Sequence, residues 1–415
     1  MSNQGKIHYR SLTPLEGHSS HFLAALQVIA HVIDPLRKAL IHFYFLTNRE
    51  QGVEKKIEWV TLRALGRLLK ELISAPIMDG ESIKEDDGGG GDDSDDEAPS
   101  IPVDATELYH TLEPTLKQYG KSIEPKNATE ALQTLLEIIQ KCARTLPLTG
   151  HLWVAMLDLA GLGLMGKAYI VGKCPLIEDG QILQRTQKET IMEWCPVVLP
   201  KKDSLEEALK EYCSRKPYTY DFDKKPYQFE VRIPLLSSQQ VAMDGMDTSN
   251  WTTTKSISYS ELTSYLFFGI DRVNPTTGTF DETEVLIPKN LDLRKYCERT
   301  VKGPTQYELV GGVLHDEDDY VALLKNPNVN DPEDENAWML MESEEIIPMT
   351  ESDALDFLKG EDEGAPCGTI LAYRRCDDGQ PDMKRLLSDI IISQVSGSLD
   401  SADTEFYYEE EVIED

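Results

Sequence analysis

The chain has 415 residues with 41 basic and 73 acidic side chains, and its formal net charge is −32 at pH 7. Hydrophobic residues make up 40% of the chain, which excludes wholesale disorder and allows a sizeable buried core. The acidic excess argues against nucleic acid or an anionic membrane as the main partner, because both bind basic surfaces.

Membrane insertion and secretion are not indicated either. No apolar run approaches the ~20 residues that span a bilayer, and the start, MSNQGKIHYR, has no apolar signal segment. The seven cysteines include no CxxC pair, which argues against a disulfide framework or a zinc ribbon. We therefore expect a cytoplasmic or nuclear protein without a cofactor.

The first third of the chain has helical periodicity. Four apolar residues recur on one helical face: Phe22, Leu26, Ile29 and Ile33. Asp34-Pro35 predicts the start of a second helix with Asp34 as its N-cap, since proline suits a first helical turn. Amphipathic patterns predict three more helices, over 53–75, 105–119 and 127–143.

Two segments concentrate the acidic residues. Residues 81–97 hold nine acids and four glycines, which predicts a disordered insertion over 78–103. Ser94 precedes three acids within it and is either a phosphorylation site or one polar residue of a solvating linker. Residues 376–415 form a C-terminal segment whose last part, 398–415, is an acidic tail.

The remainder of the chain has the patterns of strands. Short apolar or alternating runs bounded by Asn, Asp, Gly and Pro predict strands over 227–236, 264–273, 307–314, 320–324, 338–341 and 369–375. Residues 238–262 are rich in Ser and Thr and are predicted to be a polar surface loop. Helices followed by strands indicate an α+β fold with a helical part beside an antiparallel sheet.

Several short motifs occur in one order along the chain. Residues 15–27 (LEGHSSHFLAALQ) are similar to the box N-x-G-x-T-C-[YF]-x-N-[SA]-x-L-Q, and residues 126–131 (KNATEA) to Q-D-A-x-E-F. SLEEALKEY (204–212) and the segment 262–297 fit a connecting helix and an L-P-x-x-L…F-P-x-x-L-D-L segment. YELVGGVLHDEDDYVALL, then a tryptophan, then TILAYRR are similar to the closing H-x-G…G-H-Y-x-A…W…A-Y-x-L-x-Y motifs.

Together these motifs resemble the catalytic domain of the ubiquitin-specific proteases over residues 10–375, after an N-terminal arm at 1–9. The resemblance implies a papain-like cysteine-protease fold with a helical thumb and an antiparallel-sheet palm and fingers. It also implies isopeptide hydrolysis by a cysteine thiolate, a histidine base, an orienting Asp or Asn, and an oxyanion-binding Asn.

In this chain those four positions are Ser20, Asp319, Glu342 and Leu15. A serine hydroxyl is a weaker nucleophile than a thiol, and a carboxylate with a pKa near ~4 is a poor general base. Losing one oxyanion donor alone costs ~100–1,000-fold in rate. The resemblance therefore implies a degenerate active site in which no residue is expected to be catalytic.

Rescue by neighbouring residues is not favoured. His315 matches a non-catalytic histidine of the family, and His18 and His21 beside Ser20 are interpreted as surface or helix-start residues. Only Cys174 and Cys195 fall in the fingers region, where other family members bind zinc, and we interpret both as buried apolar residues. Two ligands do not complete a tetrahedral site, so we predict no metal.

Binding residues are better preserved than catalytic ones. Glu130 and Tyr320 match family residues that contact the ubiquitin tail, and Asn127 replaces an Asp there; alternatively, these residues have only structural roles. The leading hypothesis is an inactive family member that binds ubiquitin, a ubiquitinated protein or the subunits of a larger complex, and neither nucleic acid nor membrane. The alternatives are an active ubiquitin hydrolase with unusual residues and an acidic structural subunit of a larger complex.

Overall fold

The computed structural model describes residues 10–13, 20–49, 56–74, 102–122, 125–145, 163–173, 184–194, 196–217, 229–232, 239–241, 252–273, 277, 279–301, 303–316, 319–342, 345–360 and 366–376. Several predictions therefore fall outside the described residues. They concern the arm 1–9, Leu15, His18, most of the acidic insertion with Ser94, Cys174, Cys195 and the C-terminal segment after Cys376.

The helices in chain order are α1 (Ser20–Val32), α2 (Asp34–Arg49), α3 (Ile57–Ile73), α4 (Thr106–Gln118), α5 (Ala128–Arg144), α6 (Leu205–Cys213) and α7 (Glu351–Lys359). The strands are β1 (Gly163–Lys173), β2 (Gln184–Trp194), β3 (Val197–Pro200), β4 (Lys216–Pro217), β5 (Phe229–Arg232), β6 (Gln239–Val241), β7 (Thr252–Glu261), β8 (Tyr265–Asp271), β9 (Asn290–Asp292), β10 (Gln306–Asp316), β11 (Asp319–Lys325), β12 (Trp338–Met341), β13 (Ile346–Met349) and β14 (Cys367–Arg375). A short 3-10 helix covers Arg294–Tyr296.

Helix α1 is the central element of the helical part. Ten of its 13 residues are buried, because it packs against α2, α3 and α5 and also against β10 and β11. A helix that is apolar nearly all round requires such complete enclosure. The predicted helices of this part are confirmed, although Asp34 is the first residue of α2 and its carboxylate contacts Arg37 and Lys38.

Helices α2 and α3 approach each other closely at Gly66. A Cβ atom placed on Gly66 would lie 2.2 Å from the carbonyl oxygen of Leu40. Real Cβ atoms do not approach a carbonyl oxygen so closely, so the separation of these helices depends on the missing side chain.

The larger sheet has the strand order β13-β12-β11-β10-β14-β8-β3, with β9 paired beside it to β10. Strand β3 runs parallel to β8, and the other described strand pairs are antiparallel. Its interior residues include Leu323, Leu371 and Tyr373, each 0% exposed, with Trp338 at 1%. These buried residues form the sheet side of the core, and α1 packs against this sheet at β10 and β11.

The smaller sheet has the order β4-β7-β1-β2-β5-β6. The predicted polar loop over 238–262 is wrong where β6 and β7 form, since β7 pairs along its length with β1 and also with β4. Its composition, TTTKSISYSE, includes β-branched residues that fit a strand, and backbone hydrogen bonding needs no apolar face.

The end of the predicted insertion is also corrected. Val103 lies inside the predicted range 78–103, yet it is buried and forms a bridge with Leu12, with Thr13 N donating to Val103 O at 3.0 Å. Backbone pairing and burial thus order this residue.

No described helix is long and apolar enough to cross a membrane.

Candidate functional site

The site is centred on Ser20, the first residue of α1. Its Oγ accepts a hydrogen bond of 2.7 Å from the backbone N–H of Tyr320, 300 residues away in sequence. Tyr320 is the second residue of β11. The bond therefore joins the N-terminus of the central helix to the β10–β11 hairpin of the larger sheet.

A row of four rings lies beside this bond. The His21 ring stacks on the Tyr320 ring at a centroid distance of 4.1 Å, and the His315 and Tyr320 rings make an edge-to-face contact at a centroid distance of 4.8 Å. His315 in turn stacks on Phe280 at 4.0 Å. The hairpin register explains part of the row, because His315 and Tyr320 are directly opposite each other on β10 and β11.

His21 lies at the start of α1, as predicted, and its ring is half-buried against Tyr320. Its Nδ1 is buried and, among the described residues, has no hydrogen-bond partner. Burial chiefly lowers the pKa of His21; the His315 charge lowers it further, and Asp319 partly opposes this. Because this Nδ1 is unpaired among the described residues, it makes no hydrogen bond to Ser20, the preceding residue on α1.

Carboxylates surround the end of the hairpin. Asp319, exposed at the start of β11, is opposite Asp316 on β10. Glu342 directly follows β12, and its backbone N–H donates to Glu345 O at 3.0 Å. Burial raises the pKa of Glu342, and the charges of Asp316 and Glu345 raise it further. We call Asp316, Asp319, Glu342 and Glu345 the acidic rim.

A cleft of about 380 Å³ opens beside Tyr320, between the start of α5 and the end of β8. Asn127, Glu130 and Tyr320, the three predicted tail-binding residues, all line it. Its apolar lining includes Val198 and Val273, which are 48% and 43% exposed. The structure thus brings residues from distant parts of the sequence together. They line one open groove whose walls are partly apolar and partly polar.

Two of these residues also cap α5. The Oδ1 atom of Asn127 accepts a hydrogen bond from the Glu130 N–H at 2.9 Å, and Glu130 Oε2 accepts one from the Lys126 N–H at 2.8 Å. This reciprocal arrangement satisfies backbone donors at the start of the helix. It fixes the backbone on one side of the cleft while leaving the Glu130 side chain exposed.

Arg272 fixes the other side. This arginine is only 2% exposed, and it donates to the carbonyl oxygens of Gly368, Asp281 and Thr283 at 2.8, 3.0 and 2.9 Å. Burial lowers the pKa of its guanidinium. Because its donors are directed at backbone carbonyls, Arg272 holds the strand β14 and the 281–283 segment together at the wall of the cleft.

A thiol also lies near the row of rings. Cys367 is opposite His315 in the β10–β14 pair, but it is 1% exposed and burial raises its pKa. A buried thiol with a raised pKa is a poor nucleophile. Within the described residues, no group of three or more His, Cys, Asp or Glu side chains is placed to hold a metal ion.

Sequence reasoning identified Ser20, Asp319, Glu342 and Tyr320 but missed Phe280, Asp316 and the two valines. Val198 lies in VVLP, a short apolar run that could have been recognised as a strand. Phe280 carries no comparable signal, because it lies in an isolated bridge with Val273 rather than in a strand.

Comparison with known proteins gives the context of this site. A solved structure of the yeast SAGA DUBm with an Sgf73 mutant matches the fold with a TM-score of 0.55 and 17% identity, covering 88% of this chain and 68% of that chain. No curated protein matches the sequence significantly. The α+β fold of the ubiquitin-specific protease type, with helical thumb and sheet palm and fingers, is confirmed. Since the profile of the ubiquitin carboxyl-terminal hydrolases matches residues 16–373, the chain belongs to that family.

Proposed function

We propose that this chain binds the C-terminal tail of ubiquitin, free or on a ubiquitinated protein, without hydrolysing it. The observation that carries the proposal is the open cleft lined by Asn127, Glu130 and Tyr320. The backbone N–H of Tyr320 donates to Ser20, and the motif similarity matches Ser20 to the family's cysteine nucleophile. The tail would lie in the cleft with its end at Ser20.

Loss of hydrolysis follows from the groups around Ser20. The Ser20 hydroxyl needs a base within hydrogen-bond reach, as any serine nucleophile does. His21 is held against Tyr320 with its Nδ1 unpaired among the described residues. Asp319 replaces the histidine of the family, and a carboxylate is ordinarily a much weaker base than imidazole. Among the described residues, the Ser20 Oγ accepts a hydrogen bond from the Tyr320 N–H and makes none with a base, an arrangement that supports binding but not acyl transfer.

Binding is supported by the chemistry of the cleft walls. Val198 and Val273 offer apolar surface, and Glu130 and Asp271 are exposed carboxylates beside it. An extended tail that carries arginines suits such a groove, because guanidinium groups pair well with carboxylates. Capping by Asn127 and Glu130 keeps the groove preformed, which lowers the entropic cost of binding.

The test is an NMR titration of isotope-labelled ubiquitin with the full chain. We expect shifts concentrated on the tail and the hydrophobic face of ubiquitin, and a strong loss of affinity for Glu130→Lys. Glu113→Lys on α4 is the matched control, since it makes the same charge change outside the cleft. The absence of shifts at several hundred micromolar protein would contradict the proposal.

Catalytic inactivity is tested separately with a ubiquitin–fluorophore conjugate at high protein concentration. We expect no turnover above background for the natural chain or for Ser20→Ala. If the natural chain releases the fluorophore and Ser20→Ala does not, the chain is instead an active hydrolase with a serine nucleophile.

Scaffolding within a larger assembly is the second candidate function. It is favoured by the net charge of −32, which suits basic partners, and by the fold similarity to the SAGA DUBm, whose structure includes Sgf73. A cytoplasmic or nuclear location is part of this proposal. If deleting 81–97 and 398–415 left every partner bound in a low-salt pull-down, the electrostatic form of this idea would fail.

A further inference from the structure

A second cavity lies at the end of α1 that is remote from Ser20. Its volume is about 290 Å³. Val32, the last residue of α1, lines it, and about 18 Å of helix axis separates Val32 from Ser20 at 1.5 Å per residue. Its other walls come from β10, the end of β11, the loop 326–337, the start of α7 and the end of β14. The proposed tail binding does not use this cavity.

The loop 326–337 is held in one conformation by Asn326. This residue is 7% exposed, and its side-chain amide donates to a backbone carbonyl of the loop and accepts from a backbone N–H of the loop, both at 3.0 Å. The backbone N–H of Glu351 donates to Pro332 O at 3.0 Å, which ties the loop to α7. The cavity is therefore preformed, and a ligand pays little entropy to order its walls.

Charged side chains of both signs line the cavity in equal number. Three are cationic and three are anionic: Lys289, Lys325 and Arg374, and Glu308, Asp331 and Glu351. His31 also lines the cavity and is neutral at pH 7, because burial and then the charge of Arg37 lower its pKa to about 3. The formal charges therefore sum to zero, which disfavours a purely anionic or purely cationic ligand.

One ion pair in this cavity is open. The Nζ atom of Lys325 lies 3.8 Å from Oε2 of Glu351, which is beyond hydrogen-bond distance. The two side chains are only 25% and 11% exposed, and Oε1 of Glu351 pairs with Lys289. Among the described residues, neither Lys325 Nζ nor Glu351 Oε2 makes a hydrogen bond. A charged donor and a charged acceptor are thus available to a ligand.

An open ion pair of this width matches an α-amino acid. Standard bond lengths and angles place the ammonium nitrogen of an α-amino acid about 2.5 Å from its carboxyl carbon, so its two charges are spaced much like those of Lys325 and Glu351. In an antiparallel arrangement the carboxylate accepts from Lys325 and the ammonium donates to Glu351, and both bonds are charge-assisted. The lining also includes Val32, Val310 and Val329, which suit an aliphatic side chain.

From this geometry we infer that the cavity binds a free aliphatic α-amino acid as a zwitterion, with its charged groups on Lys325 and Glu351. The inference does not depend on tail binding, because the cavity and the cleft share no lining residue.

The experiment is a calorimetric titration of the full chain with three probes of one carbon skeleton. They are L-leucine, isocaproate, which lacks the ammonium, and isoamylamine, which lacks the carboxylate. We expect L-leucine to bind at least about tenfold more tightly than either analogue, because each analogue loses a charge-assisted hydrogen bond. An analogue that binds as tightly as L-leucine would overturn the inference, and so would no binding of L-leucine at millimolar concentration. Neither result bears on ubiquitin binding.

A variant tests whether the ligand lies at the open ion pair. Lys325→Met is expected to lower the affinity for L-leucine at least about tenfold and to change that for isoamylamine little, because isoamylamine has no carboxylate to lose its partner. Lys359→Met is the matched control and should keep the natural affinity: the Lys359 side chain is also 25% exposed and forms an ion pair, with Asp356, but it does not line the cavity.

The thermal transition shows whether each variant folds. If Lys325→Met keeps both the natural transition and the natural affinity for L-leucine, the inference is wrong. If Lys325→Met does not fold, the comparison of the three probes on the natural chain decides.

Discussion

At the scale of single residues, Ser20 carries an oxygen rather than a sulfur atom, and among the described residues its hydrogen-bond partner is the Tyr320 N–H and not a base. We expect Ser20→Cys alone to leave ubiquitin–fluorophore turnover at background, because His21 stacks on Tyr320 and a carboxylate stands at 319. Adding Asp319→His should raise turnover at least ~tenfold above the single variant, since a positioned base contributes ~100–10,000-fold.

The control for this pair is Ser20→Ala with Asp319→His, which should remain inactive. A Ser20→Cys variant as fast as the double variant would mean that another group already acts as the base. His315 would then be the first candidate, because its ring lies against Tyr320.

The residue scale also marks the limit of sequence reasoning about the site. Motif order placed Ser20, Asp319 and Tyr320 at equivalent family positions. It did not give the bond between Ser20 and Tyr320 N, which spans 300 residues and depends on how α1 packs against the hairpin. The covering of His21 by Tyr320 has the same origin, so it was not visible in the local sequence either.

At the scale of elements, the capping of α5 separates a structural role from a binding role. Asn127→Ala should cost about 1 kcal/mol of folding stability, because it removes the acceptor for the Glu130 N–H. If Asn127 also contacts the tail, the variant should lose ubiquitin affinity as well. Both quantities are measured on the same protein, by urea unfolding and by titration.

Ser204→Ala is the matched control for the cap. Ser204 caps α6 in the same way, accepting from the Glu207 N–H at 3.2 Å, and it does not line the cleft. It should lose similar stability and keep its full ubiquitin affinity. Equal affinity for both variants would assign Asn127 a structural role only.

The contact between α2 and α3 gives a second prediction at this scale. Gly66→Ala should destabilise the fold by about 1–3 kcal/mol, because the new Cβ would meet the Leu40 carbonyl and force the helices apart. Gly120→Ala is the control: its φ is +66° and no atom lies within 4 Å of the new Cβ, so only about 1 kcal/mol of backbone strain is expected. A smaller urea-midpoint shift for Gly66→Ala than for Gly120→Ala would contradict this.

Elements differ in how well the sequence predicts them, and the reason is periodicity. The apolar residues of α1 recur at helical spacing, Asp34-Pro35 marks the start of α2, and α3 to α5 are amphipathic, so the sequence predicts all five helices. The sequence of β7 predicts a loop because its Ser and Thr residues give no apolar face, whereas pairing with β1 and β4 makes it a strand. Helix α7 was not identified, although Thr350 caps it and Gly360 ends it at φ +75°.

At the scale of the whole molecule, the packing of α1 against the sheet makes stability depend on pH. Both ring nitrogens of His31, near the end of α1, are buried, although part of the residue borders a cavity. Burial, and then the positive charge of Arg37, lowers the pKa of His31 to about 3. In the unfolded chain its pKa returns to about 6.5.

The sign of the pH dependence follows from these two pKa values. Between pH 6.5 and about 3, the unfolded chain binds a proton at His31 that the folded chain does not bind, so stability falls as pH falls. The slope approaches about 1.4 kcal/mol per pH unit, and above pH 6.5 this contribution is constant. Urea unfolding is measured at pH 7 and pH 5.5, because both values lie above the pH at which most carboxylates titrate.

His31→Gln is expected to remove most of this slope, whatever its effect on stability at pH 7, because glutamine does not titrate. His110→Gln on α4 is the control, since that histidine is exposed to solvent and its removal should leave the slope unchanged. If His31→Gln keeps the pH slope of the natural chain, the pH dependence belongs to other groups. His21 and His42 are among them, because burial also lowers their pKa values. A flat natural profile would mean that α1 opens enough for His31 to be protonated in the folded state.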